Sequence, residues 1–207
     1  MKVLMLNGSF NPDGSTNAGL EIMAKTFAEE GVETEIVTVG GKPIADCIAC
    51  GKCAELKRCV FANDDVNEFA EKAKRADGFV FGSPVYYASA NGTLISFLDR
   101  LFYAAGAEVF AHKPGAAVVS ARRAGTTASL DVLNKYFTIS GMPVASSHYW
   151  NIIHGAKPGE AAQDAEGVAT VRNLAKNMAF LMKSIALGKE AYGLPEYDKR
   201  AFTNFIR

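Results

Sequence analysis

No excess of either charge marks this chain: lysine plus arginine number 22, and aspartate plus glutamate also number 22. A balanced surface leaves no electrostatic footprint for nucleic acid or for an anionic membrane, so small molecules or other proteins are the expected partners. Long apolar runs are also lacking. The opening run, Met1-Lys2-Val3-Leu4-Met5-Leu6, breaks at Asn7-Gly8-Ser9 and is too short for a signal peptide or a membrane span, which gives the expectation of a cytoplasmic location. Cysteine is absent outside one stretch, Cys47 to Cys59, and in a reducing compartment such a cluster argues against a disulfide framework and for metal ligation. No internal repeat or low-complexity tract is present, and 207 residues that are 49% hydrophobic suit one domain with one substantial core.

What the chain does contain is an alternation of short apolar runs with amphipathic segments. Residues 2–7, 33–39, 78–82, 115–120 and 143–147 read as strands one to five. Between and after them, apolar side chains recur at helical spacing over 17–30, from Asp64 to about Arg75, around Leu94, Phe97, Leu98 and Leu101, and over 127–139 and 163–187. Parallel neighbours need crossover connections, so this alternation predicts a parallel sheet in a three-layer α/β sandwich. Ligands in such sheets sit beyond the carboxyl ends of the strands, at the switch point of the strand order. Residues 188–207 read as an irregular tail, and its Tyr192, Tyr197, Phe202 and Phe205 predict contacts in a homodimer or homotetramer.

The loop after strand one, Gly8-Ser9-Phe10-Asn11-Pro12-Asp13-Gly14-Ser15-Thr16-Asn17, opens directly into a helix. Its backbone N–H groups, with Ser9, Asn11, Ser15, Thr16 and Asn17, can bind a phosphomonoester, or the loop can be a plain capped turn. A P-loop is excluded because Gly14 precedes Ser15-Thr16 without the required lysine, and the dinucleotide pattern fails for want of Gly-x-Gly-x-x-Gly and of an acid after strand two. Receiver domains need acids where Asn7 and Gly82-Ser83 stand, and a small tyrosine phosphatase needs a cysteine that this loop lacks. After strand three, Gly82-Ser83-Pro84-Val85-Tyr86-Tyr87 combines a rigid bend with two aromatics and can cradle a planar ring, or the tyrosines can simply pack under the loop.

Asn7-Gly8-Ser9 with Ser15-Thr16-Asn17, the cysteine-rich segment leading into Asp64-Asp65, and Gly82-Ser83-Pro84-Val85-Tyr86 followed by Phe97-Leu98-Asp99-Arg100 together resemble the NADPH-dependent FMN reductase family of flavodoxin-like proteins. The resemblance runs through nearly the whole chain. It implies a flavodoxin-like sandwich over residues 1–187 with a five-stranded parallel sheet in the order 2-1-3-4-5. It also implies that Ser9, Asn11, Ser15, Thr16 and Asn17 hold an FMN phosphate and that Pro84, Val85, Tyr86 and Tyr87 face the isoalloxazine. Loop four, with Ser120, Arg122, Arg123 and Gly125, should complete the pocket; an arginine near the pyrimidine end would favour an anionic reduced flavin. One of the two arginines is expected to be a plain surface charge. No side chain is expected to be catalytic, because FMN carries the chemistry.

Cys47-x2-Cys50-x2-Cys53-x5-Cys59 lies in a loop spanning 40–63. Four thiolates on irregular backbone can wrap a [4Fe–4S] cluster, bind zinc, or stay free. The spacing resembles that of the iron–sulfur flavoproteins, a branch of the same family in which such a cluster passes electrons to FMN. Two functions follow: an FMN-dependent oxidoreductase taking electrons from NAD(P)H or a reduced protein, and a non-enzymatic electron-transfer module exchanging electrons with ferredoxin-like proteins. A flavin-free interaction domain is a third. The aromatic stretch His148 to Gly155 can line the site or, as the preferred reading, pack against a partner subunit, and Asp64 and Asp65 read as a helix cap and dipole partner rather than catalytic acids.

Overall fold

Strands that are apolar at successive positions must be covered on both faces, because neighbouring side chains point to opposite sides. The computed structural model, which describes residues 1–39 and 43–198 with Ala201, Thr203 and Phe205, is built in this way. Gly40, Gly41 and the tail residue Phe202 lie outside the described residues. In chain order the elements are β1 (Lys2–Asn7), α1 (Ser15–Glu29), β2 (Glu33–Thr38), α2 (Cys53–Leu56), α3 (Val66–Ala73), β3 (Gly78–Tyr86), β4 (Ser89–Ala90), α4 (Gly92–Ala105) and α5 (Ala107–Phe110). Then come β5 (Gly115–Ala121), α6 (Thr126–Ile139), β6 (Ile152–His154), a 3-10 turn at Ala161–Gln163, and α7 (Ala165–Tyr192).

Leu4, Leu6, Phe79, Phe81, Ala117 and Val119 enter one buried cluster with Phe69 of α3, Phe97 and Leu101 of α4, and Leu133 and Phe137 of α6. The intervening Val3, Met5, Val80, Ala116 and Val118 enter the other, with Leu20, Met23 and Phe27 of α1 and Val171, Leu174 and Met178 of α7. Each large side chain so buried contributes roughly 1.5–3 kcal/mol relative to exposure. The result is the expected flavodoxin-like sandwich, in which the sheet runs β2-β1-β3-β5-β6 and the short β4 pairs antiparallel with the end of β3. The order reverses beside β1, so the carboxyl ends of β1 and β3 flank the switch point.

The fifth strand departs from expectation. Residues 143–147 supply a single bridge, Val144 to Gly115, and the paired strand is β6, with Ile152, Ile153 and His154 beside Val119, Ser120 and Ala121. Ser147 explains the break: its hydroxyl donates to the Tyr149 carbonyl at 2.5 Å and lies 2.9 Å from Asn151 Oδ1, a local turn that competes with the ladder until the buried isoleucines resume it. Helix α7 also continues past Leu187 to Tyr192, so less of the C-terminus is irregular than expected. No helix among the described residues is long and apolar enough to cross a membrane.

Candidate functional site

The loop after β1 is folded on its own side chains. Asn7, buried at the strand end, accepts from the Ser9 N–H at 2.9 Å and donates to Asn17 Oδ1 at 3.1 Å. Ser9 Oγ accepts from Asn11 N–H at 3.2 Å, Asn11 Oδ1 from Asp13 N–H at 3.0 Å, and Asn17 donates to the Pro12 carbonyl at 2.9 Å. These bonds shape the loop and reach the Asn17 side chain, but they leave the backbone N–H groups of the first helical turn unused. Helix α1 has no side-chain cap and no acid in its first turn, and among the described residues the N–H groups of Ser15, Thr16 and Asn17 take no intramolecular acceptor. By contrast, Asn91 caps α4 through the Thr93 N–H at 2.7 Å, and Asp164 caps α7 through the Gly167 N–H at 3.0 Å.

Three further connections bring the other loops to this open helix end. Thr16 Oγ1 and Ser120 Oγ share a hydrogen bond of 2.8 Å, tying α1 to the end of β5. Asn91 donates to the Gly8 carbonyl at 2.7 Å and its N–H reaches Ser83 Oγ at 3.0 Å, which locks the first loop to the third. Gly125, at φ +87°, starts α6 so close to Val85 that a Cβ there would lie 2.9 Å from Val85 Cγ1; only glycine suits both the left-handed backbone and the contact.

The loops enclose a cleft of about 340 Å³. Ser9, Asn11, Ser15 and Thr16 line it from the first loop, Pro84, Val85 and Tyr86 from β3, and Ser120 and Arg122 from the end of β5. Of the other residues singled out in the sequence, Asn17 is spent on bracing the loop, Gly125 packs behind Val85, Arg123 is exposed off the cleft, and Tyr87 projects into solvent at φ +60°. Gly155 and Ala156, after β6, complete the wall. A Cβ on Gly155 would lie 2.5 Å from Ser15 Oγ. Sequence reasoning offered the stretch up to Gly155 as site-lining only behind a packing role, because it ended the fifth strand too early, and it did not reach Ala156. It also missed the bridging role of Asn91, although an asparagine just before Gly92-Thr93 and the apolar run of α4 is a cap signal.

The cysteine segment is built differently. Among the described residues between β2 and α3 the only regular element is the four-residue α2, and Ala49, Gly51 and Lys57 hold left-handed backbone at φ +50°, +69° and +54°. Cys47, Cys50, Cys53 and Cys59 are free and border one cavity of about 190 Å³ together with Phe61, Arg100 and Tyr103. They ring this space without converging on a point, since among the described residues no three potential ligands approach as a single metal ion would require. Tetrahedral zinc draws its sulfurs to about 2.3 Å from one centre, so this arrangement suits it poorly. Four thiols bordering one hollow supply the number and type of ligand that an iron–sulfur centre takes.

Behind the cavity lies a cation that sequence reasoning left unassigned. Arg100 is 1% exposed and its guanidinium faces both Asp64 oxygens, at 2.5 and 3.1 Å, with the Asp64 side chain 2% exposed. Burial pulls the Arg100 pKa down, but the Asp64 carboxylate and, less strongly, Cys59 outweigh it and hold the value above the ordinary one. Asp64 still accepts from the Val66 N–H at 3.2 Å, as a cap would, whereas Asp65 makes no side-chain cap bond. The signal was available: Arg100 stands three residues after Phe97 and four before Ala104, a lone charge on the buried stripe of α4.

The NADPH-dependent FMN reductase family profile matches residues 1–157. An iron–sulfur flavoprotein of Methanocaldococcus jannaschii is 33% identical over 192 residues, which cover 89% of this chain and 99% of that protein. An iron–sulfur flavoprotein of Methanosarcina thermophila is 27% identical over 195 residues, 92% of this chain and 100% of the relative. In three dimensions, a flavodoxin from the domain Archaea superposes with a TM-score of 0.59 at 16% identity, covering 88% of this chain and 99% of that one. With the fold, the cleft and the sequence match in agreement, the chain belongs to the NADPH-dependent FMN reductase family, an FMN-binding family of flavodoxin-like oxidoreductases.

Proposed function

We propose that the protein is an oxidoreductase that holds FMN in the 340 Å³ cleft, takes electrons from NAD(P)H or a reduced protein donor, and passes them to a separate acceptor. The observation that carries this is the uncapped start of α1, which leaves free N–H groups and the Ser15 hydroxyl facing the cleft with no competing acid in the first turn. Helix dipole and N–H donors together bind a phosphate without a cation. Ser9, Ser15 and Thr16 would add hydroxyl donors, Pro84, Val85 and Tyr86 would wall the ring system, and the exposed Arg122 would supply positive charge at the rim. FMN, once bound, supplies the electron chemistry; the chain positions it and keeps water from the face against β3.

We further assign to Cys47, Cys50, Cys53 and Cys59 a [4Fe–4S] cluster, on the shared cavity they border and on relatives named iron–sulfur flavoproteins. That cavity favours a second reading, a carrier that exchanges electrons with ferredoxin-like proteins and has no direct nicotinamide reaction. Anaerobic stopped-flow mixing of the flavin-loaded protein separates the two. Flavin bleaching within the first turnovers on NADPH or NADH is expected for the reductase; bleaching only through a reduced protein donor would leave the carrier. Protein that remains colourless after incubation with FMN would remove both. The exposed aromatics Tyr192, Tyr197 and Phe205 support a homo-oligomer, for which a monomer on size-exclusion chromatography would be the contrary result.

A further inference from the structure

Among the described residues, Cys59 is the one cysteine whose sulfur receives a hydrogen bond from a charged group: Arg100 Nε lies 3.2 Å from Cys59 Sγ. The peptide of Cys59 is also gripped. Its N–H donates to Asn67 Oδ1 at 2.9 Å, and Asn67 Nδ2 donates back to the Cys59 carbonyl at 3.1 Å. The remaining N–H groups of Arg100 reach Ala45 O at 3.3 Å, Phe61 O at 3.2 Å and the two Asp64 oxygens, so every donor of the guanidinium is engaged. One cation on α4 therefore ties down the chain before the first cysteine, the last cysteine itself, and the chain beyond it.

We propose that Arg100 is a positioning residue that fixes the Cys59 sulfur and raises the reduction potential of the [4Fe–4S] cluster, an inference that rests on the cysteines holding that cluster. One-electron reduction adds a negative charge to the centre and its sulfurs. A guanidinium in direct contact with one ligand sulfur, in a site that is 1% exposed, stabilises that added charge, as N–H···S bonds do generally. Asp64 faces the opposite side of the guanidinium and offsets part of its charge. The two members of the pair thus act on the potential in opposite directions, whereas as supports of the loop they act in the same direction.

This opposition is the test. Full-length protein is reconstituted anaerobically, its iron and acid-labile sulfide are counted, and the cluster midpoint is followed by EPR in a mediated titration for wild type, Asp64→Asn, Arg100→Lys and the double variant Arg100→Gln/Asp64→Asn. The double variant leaves no buried charge unpaired and so preserves the fold. The expected result is a midpoint above wild type for Asp64→Asn, below wild type for the double variant, and near wild type for Arg100→Lys, which keeps the charge. Asp64→Asn and the double variant shifting in the same direction would overturn the proposal. Should Asp64→Asn fail to fold, equal midpoints for Arg100→Lys and the double variant would overturn it. Wild type that retains no iron would instead bring down the cluster reading on which it rests.

Discussion

The cleft at the carboxyl ends of the strands is held by neutral groups, whereas the cysteine segment is gathered around a buried cation, with Asn67 as a neutral second hold. In the cleft, amides and hydroxyls such as Asn7, Ser9, Asn91 and the Thr16–Ser120 pair bond one another and leave the helix end unsatisfied. In the cysteine segment, Arg100 satisfies itself completely and gathers irregular chain around it. A site that awaits an anion must withhold its donors from the protein. A segment with little regular structure needs a strong internal tether.

The sharpest way to break this contrast is Arg100→Ala. It strands the Asp64 carboxylate in the interior, and the expected loss is about 3–5 kcal/mol of stability, measured by urea unfolding. A change under 1 kcal/mol would mean that the tether is not needed. Ser15→Ala is the counterpart in the cleft. It removes a hydroxyl with no partner among the described residues, so unfolding should barely move while FMN affinity falls about tenfold or more, from the ~1.5–3 kcal/mol of a hydrogen bond to a charged group. Isothermal titration with FMN reads this directly, and equal affinity would deny the phosphate its place at α1.

The smallest effect is expected at a surface ion cluster away from both regions. Glu35 lies 2.6 Å from the Lys2 ammonium and 2.9 Å from that of Lys72; hydrogen bonds from these two lysines hold its carboxyl below the ordinary 4.5. A lowered carboxylate pKa stabilises the fold above that ordinary value and loses the contribution as pH falls through the folded value. Bonds to Glu68 and Glu35 push Lys72 up to about 12, so its share is complete below 10.5 and vanishes as pH rises through about 12. Solvent screening limits Glu35→Gln to about 0–1 kcal/mol at neutral pH, with no difference from wild type in strong acid. A larger loss in thermal unfolding at neutral pH would show that the contrast of tether and cleft overlooks a third anchor.

The parts of the fold that could be read from sequence were those set by periodicity. Phe79, Val80 and Phe81 announce a strand buried on both faces, and Leu94, Phe97, Leu98 and Leu101 a helix with one inner stripe. The fifth strand was misplaced because Pro143-Val144-Ala145 looks as strand-like as Ile152-Ile153, and only the Ser147 hydroxyl bonds decide between them. Three loops of the cleft were legible through turn and hydroxyl chemistry, while Gly155 was not, since nothing local reveals that its missing Cβ makes room for Ser15. Arg100 could be seen as a charge among apolar neighbours, but its partner lies 36 residues away, and pairing at that separation is set by how α3 and α4 pack.

The interrupted outer strand carries a last consequence. Beyond β5 the sheet ends in three paired residues, about 10 Å of extended backbone, because Ser147 has already pulled the preceding chain aside. So short a margin gives a strand from another copy little to zip onto at this edge of the sheet. Assembly across the β6 edge must therefore be made through side chains meeting at its surface, whereas the longer β2 at the opposite edge still offers six residues of ladder.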